Sequence, residues 1–133
     1  MAGLDTNVLV RWLVGDDGHQ SKQVEALLKS ITSRQQPLFV PITVILELEW
    51  VLRSRYGFGK SSVLFALNAL LDTRELEFQS ESAIEKAMHT FRQSNADFAD
   101  CLHAALCSDA RRSPLLTFDA KAARVADVRL VSG

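Results

Sequence analysis

Apolar positions along the chain fall into short runs that alternate between helical and strand-like spacing. The stretch from Ala2 to Asp5 is apolar and gives way at once to Thr6 and Asn7, which predicts a buried strand ending at an open edge. Val8, Leu9, Trp12 and Leu13 then recur at helical spacing. After the turn-like DDGHQS, where Asp16 and Asp17 sit, Val24, Leu27, Leu28 and Ile31 form a second amphipathic stripe. Pro37 and Pro41 bracket a strand around Leu38, Phe39 and Val40. Thr43 is a good N-cap for a helix running through VILELEWVLRSRYG to Gly57, a natural stop. SSVLFALNALLD carries Val63, Leu67, Leu70 and Leu71 on one stripe, and LEF at 76–78 reads as a third strand. Ser82 and Glu85 make a capping box for a helix with Ile84, Ala87, Met88 and Phe91 facing inward. Phe98, Cys101, Leu102, Ala105 and Leu106 cover one side of the next helix, which Pro114 ends. LLTF at 115–118, a short helix over AKAARVA and VRLV at 128–131 complete the chain.

Strands alternating with helices across short loops predict an α/β fold with a mostly parallel sheet of about five strands and helices on both faces. With no internal repeat and no linker-like tract, 1–133 is expected to be a single domain. At 133 residues and 47% hydrophobic, it has material for a real core. A formal net charge of -1 removes the easy argument for a nucleic-acid partner, although a local basic stripe suffices for phosphate contacts. Cys101 and Cys107 lie six apart on one helix, on different faces and without metal-type spacing, which favours a reduced, cytoplasmic setting. No signal peptide or membrane span is legible, so a soluble protein with no membrane partner is expected.

In a parallel α/β sheet, ligands bind beyond the carboxyl ends of the strands. Asp5 follows the first expected strand and Asp119 the fourth, both at that edge. Asp97 and Asp100, three apart on a helix, face the same way at about 60° from each other. Glu47 lies between Leu46 and Leu48 in a strongly apolar helix, where a carboxylate is costly unless something cationic satisfies it. Each acid also has a plain structural explanation. Asp5 or Asp119 alone reads as a turn or capping residue, Asp97 as a helix N-terminal acid, Glu49 as solvated or paired, and Asp16, Asp17, Asp72 and Asp109 as loop or helix-end residues. If several converge, repulsion of order ~4 kcal/mol per pair at ~4 Å calls for a cation. Oxygen-only ligands favour Mg²⁺ or Mn²⁺, and the matching chemistry is hydrolysis of a phosphodiester. His103, three residues after Asp100, reads as a partly exposed structural residue with some reach toward a phosphate. Neither a P-loop, a GxGxxG nor a serine-hydrolase elbow is present.

Four blocks in order, LDTNVLVRWL, ITVILELEWVL, NADFADCLHAAL and LLTFDAKAAR, resemble the motif blocks of PIN-domain proteins, especially VapC-type toxins. The resemblance covers essentially the whole chain. It implies a small three-layer α/β/α fold and a Mg²⁺- or Mn²⁺-dependent endoribonuclease that cuts structured RNA such as tRNA or rRNA. It also implies a homodimer held inactive by a cognate VapB-type antitoxin. Carried over by position, Asp5, Glu47 and Asp100 match the main metal-site acids, Asp119 the fourth, and Asp97 the additional acid of the DFAD variant; Thr6, Asn7 and Thr117 would orient carboxylates or water. Cys101 departs from the small Ala usual at its place.

A basic rim for RNA is drawn from Arg11, Arg53, Arg55, Lys60, Arg111, Arg112, Lys121 and Arg124, each of which also reads as ordinary solvated surface. Apolar faces carrying Trp12, Trp50, Val51 and Phe65 are candidates to receive a helix of the antitoxin. Two rival readings are a receiver-like Mg²⁺-binding phosphoacceptor domain and a PIN fold used only for protein interaction. The first lacks a phosphoacceptor Asp after a middle strand, and the intact acids weigh against the second.

Overall fold

The computed structural model describes residues 2–15, 18–34 and 36–132. Asp16 and Asp17, expected in the first turn, and the side chain of Ile31, expected on the second stripe, lie outside the described residues. The chain divides into two compact units, 1–79 and 80–133. No helix among the described residues is long and apolar enough to cross a membrane.

In the first unit, α1 (Thr6–Val14), α2 (Gly18–Arg34), α3 (Ile42–Ser54) and α4 (Lys60–Leu71) accompany β1 (Leu38–Val40) and β2 (Leu76–Phe78). β1 and β2 pair in parallel, Leu38 opposite Leu76 and Val40 opposite Phe78. The strand expected at Ala2–Asp5 is reduced to one parallel bridge, Gly3 to Phe39, with Phe39 N donating to Ala2 O and Leu4 N to Phe39 O, each at 2.8 Å. It can extend no further because helical geometry begins at Thr6. Leu9, Leu38, Val40, Ile45, Leu48, Leu52, Val63, Leu67 and Leu70 are buried. Helix α1 stops at Gly15, whose left-handed φ of 67° favours glycine and lets its N–H reach Arg11 O.

Helix α3 starts earlier than Thr43, which is exposed and does not cap. The N-cap is Pro41, which has no capping side chain; instead the Gln79 side-chain oxygen accepts from Ile42 N at 2.9 Å. An amide arriving from the end of β2 thus satisfies a helix donor that would otherwise be an orphan. On the same helix Glu49, not Glu47, is the buried acid: Glu49 is 3% exposed and paired with Arg53 at 2.9 Å, while Glu47 is exposed. Sequence spacing carries that signal, since Glu49 is four residues after buried Ile45 and three before buried Leu52. Arg53→Met is expected to lower stability by about 1 to 3 kcal/mol, the cost of stranding a buried acceptor, in urea unfolding at neutral pH. The Glu49→Met/Arg53→Met double variant is expected to recover part of that loss; a double variant worse than additive would contradict the pairing.

The second unit holds α5 (Glu81–Gln93), α6 (Phe98–Asp109), β3 (Leu115–Thr117) and β4 (Val128–Leu130), the strands paired in parallel with Leu116 opposite Arg129. Helix α5 begins before the expected Ser82–Glu85 box: its N-cap is Ser80, in a left-handed conformation and without a side-chain cap bond. The inward stripe is as expected, with Ile84, Ala87, Met88 and Phe91 buried. Helix α6 lays Phe98, Cys101, Leu102 and Ala105 into the core, and Phe91 meets Phe98 edge to face at 5.5 Å. Across the far end, Lys86 pairs with Asp109. Neither Cys101 nor Cys107 is in a disulfide. The expected AKAARVA helix shrinks to a 3-10 turn, Ala122–Arg124: Val125 is already extended, and Asp127 at φ 62° then turns the chain into β4. The α/β class and the parallel pairing stand. The strand number does not: among the described residues there are four short strands, in two two-stranded sheets, against the five expected in one sheet.

Candidate active site

Asp5 and Asp97 sit at helix N-caps and Asp119 in the turn after β3, while Glu47 and Asp100 lie inside α3 and α6. Asp5 is the N-cap of α1, in extended conformation, and its Oδ1 accepts from Thr6 N at 2.7 Å. Capping therefore explains its position, but it uses only one carboxylate oxygen. Thr6 is 3% exposed, and a hydroxyl buried that far needs a partner. Its Oγ1 donates to Glu47 Oε1 at 2.5 Å. Through its backbone N–H and its hydroxyl, Thr6 thus holds both candidate acids of the first unit, Asp5 and Glu47, and each keeps a second oxygen for another ligand. Asn7 is exposed on the first turn of α1.

In the second unit, Asp97 occupies the N-cap of α6 yet makes no side-chain cap bond. Asp100 lies one turn further in. Burial pushes its carboxyl above the usual carboxylate range, the charges of Asp119 and then Asp97 push the same way, and His103 pulls it back. Mutual repulsion of this kind requires proximity, so the end of β3 and the first turn of α6 bring Asp97, Asp100 and Asp119 into one electrostatic neighbourhood. The turn after β3 is stiffened by two bonds: Asp119 N donates to Thr117 Oγ1 at 3.0 Å, and Asp119 Oδ1 accepts from Lys121 N at 2.8 Å. Thr117 acts on the backbone of Asp119 and not on its carboxylate.

Oxygen-only donors, half-used carboxylates and acids that repel one another fit a hard divalent cation better than any softer metal. Within either unit, no three His, Cys, Asp or Glu side chains among the described residues are already gathered into a metal-ready group. Asp100→Asn is expected to raise the melting temperature in EDTA at neutral pH, by no more than about 4 °C for a domain of this size. A raised carboxyl pKa means that wild-type stability falls as pH climbs from the ordinary Asp range through the raised value. The gain should therefore fade in acid, and a gain that instead grew on acidification would contradict the electrostatic account.

Of the basic residues, Arg11 is engaged inside the first unit, donating to Gln20 Oε1 at 2.5 Å and to Tyr56 Oη at 3.2 Å, and Arg53 is committed to Glu49. Arg55, Lys60, Arg111, Arg112, Lys121 and Arg124 are exposed. Among the apolar candidates, Trp50 and Phe65 are exposed and Trp12 is half-buried, whereas Val51 is buried in the core of its unit and presents no open face. His103, read from the sequence as a partly exposed structural residue with some reach toward a phosphate, is exposed, and its charge acts on Asp100. Gln79 and its hold on α3 had no signal in the sequence.

Comparison with known proteins matches residues 3–128 to the family described as PIN domain. A VapC ribonuclease of Aquifex aeolicus (strain VF5) is 25% identical over 99 residues, covering 74% of this chain and 73% of that protein.

Proposed function

Because the chain belongs to the PIN-domain family, we propose that it is a VapC-type endoribonuclease toxin that hydrolyses phosphodiester bonds in structured RNA, tRNA or rRNA, with Mg²⁺ or Mn²⁺. The observation that carries this reading is that Asp5, Glu47, Asp97, Asp100 and Asp119 all fall within the stretch matched to the family. The similarity to a protein named VapC ribonuclease narrows the class from nuclease to ribonuclease toxin. Family membership also supports a VapB-type antitoxin as inhibitor, with exposed Trp50 and Phe65 as apolar surface for its helix, and a cytoplasmic homodimer as the working form. The match runs through both compact units, which supports 1–133 acting as a single PIN-like domain.

In this reading Asp5, Glu47, Asp100 and Asp119 are the metal-holding acids, with Asp97 as an auxiliary. The cation, when bound, activates water and neutralises charge on the scissile phosphate. Thr6 keeps one oxygen of Glu47 and one of Asp5 occupied, so each acid offers its remaining oxygen in a restricted direction. Burial and then the charges of Asp119 and Asp97 hold the Asp100 carboxyl above the usual carboxylate range, so a cation held beside these acids would offset their repulsion. Thr117 holds the Asp119 turn in shape. In-line attack with this polarity leaves a 5′-phosphate on the downstream product.

Sequencing of cellular RNA 5′-phosphate ends after induced expression tests the proposal. Wild type is expected to produce a few discrete new ends in tRNA or rRNA that are missing after induction of Asp5→Asn. Identical ends in both would sink it. A protein that neither cuts RNA nor responds to Mn²⁺ in titration would bring forward the interaction-module reading.

A further inference from the structure

Phe118 is 85% exposed, more than any other large apolar side chain among the described residues. Its ring stands between Thr117 and Asp119, in the turn that leaves β3. The backbone around it is tied on both sides: Asp119 N bonds to Thr117 Oγ1, Asp119 Oδ1 receives Lys121 N, and Val131 N donates to Thr117 O at 2.8 Å. A phenyl ring on so restrained a turn is held in water at the loss of about 1.5 to 3 kcal/mol of burial. Leu116, two residues earlier and also exposed, lies opposite exposed Arg129 in the register. Lys121 and Arg124 follow within the next turn, both exposed. The second unit therefore presents an aromatic face, flanking cations and an acid in immediate succession along the chain.

From this juxtaposition we propose that Phe118 is a base-stacking platform: its ring takes the face of an unpaired nucleobase of the RNA substrate, while Lys121, Arg124 and Arg129 meet neighbouring phosphates. The inference rests on the ribonuclease reading and deepens it by naming a substrate feature. A base can lie on Phe118 only where it is unstacked, so the preferred substrate is a loop, bulge or single strand. Every base has a π-face, so the platform selects for an available base more than for its identity. Exposed Lys121 and Arg124 shortly after the ring in the chain, and Arg129 opposite Leu116 in the register, favour a polyanion over an apolar protein segment as its occupant. Stacked next to Asp119, the base sets which phosphodiester is presented to that acid.

The test uses the full chain carrying Asp5→Asn, so that RNA is bound without being cut. Its ligand is a hairpin oligoribonucleotide with 2-aminopurine in the loop. Quenching of the 2-aminopurine on binding is expected for this parent and for added Phe118→Trp. Added Phe118→Ala and Phe118→Leu are expected to lose the quenching and to weaken binding by between about five- and a hundredfold, the usual worth of one base on an aromatic ring. All should melt as the parent does, because the side chain is exposed. Unchanged affinity and quenching in Phe118→Ala would overturn the stacking alone, as would Phe118→Leu matching the parent, which would reduce the ring to an apolar contact. Loss of self-association with RNA binding intact would assign the ring to a second copy of the chain instead. If the parent binds no RNA at all, the ribonuclease reading fails and this inference with it.

Discussion

Asp5→Asn is expected to reduce metal-dependent RNA cleavage by on the order of a hundred- to a thousandfold while leaving the melting temperature essentially unchanged. Asparagine caps a helix as well as aspartate does, so the bond from Thr6 N at 2.7 Å survives and α1 starts where it did. The lost feature is the negative charge on the oxygen that capping leaves over. Asp5→Ala makes the complementary case: it removes charge and cap together and is expected to cost a further ~0.5 to 2 kcal/mol in stability. Measured side by side for cleavage of a labelled RNA and for urea unfolding, the two variants separate the structural duty of Asp5 from its chemical one. Cleavage that persisted in Asp5→Asn would show that capping is all this residue does.

Phe98→Ala should be the most damaging single change to the second unit. Phe98 is 1% exposed and meets Phe91 edge to face at 5.5 Å, joining the start of α6 to the end of α5. Truncating a buried Phe costs about 3 to 5 kcal/mol, a large share of the ~5 to 15 kcal/mol that hold an ordinary domain together. The urea midpoint should drop accordingly. Cleavage should fall with it, since Phe98 is the residue directly after Asp97 and the first of α6, the helix that carries Asp100. Phe98→Leu, which keeps most of the volume, should lose far less. Equal midpoints for wild type and Phe98→Ala would contradict the packing of α5 on α6.

Where the pattern of residues was periodic, it was decisive. The α5 stripe, the α6 core face, the LEF strand and the parallel alternation follow from spacing alone, because one apolar face must be buried and spacing states which residues share it. Termini were harder to place. Thr43 is a good capping residue by type, yet α3 begins at Ile42 because a side chain from residue 79 supplies the missing acceptor, and no local window contains that partner. The Ser82–Glu85 box failed for the related reason that Ser80 had already turned the chain.

The order of residues by itself determined which acids are available and on which elements they ride, since the requirement for N-caps and turns is local. Only the tertiary structure decided how those acids are used. The hydroxyl of Thr6 reaches Glu47 across 41 positions, and the charge of Asp119 reaches Asp100 through space. Hydrogen bonds and Coulomb forces depend on distance in three dimensions, and two groups far apart along a chain acquire such a distance only when their elements pack.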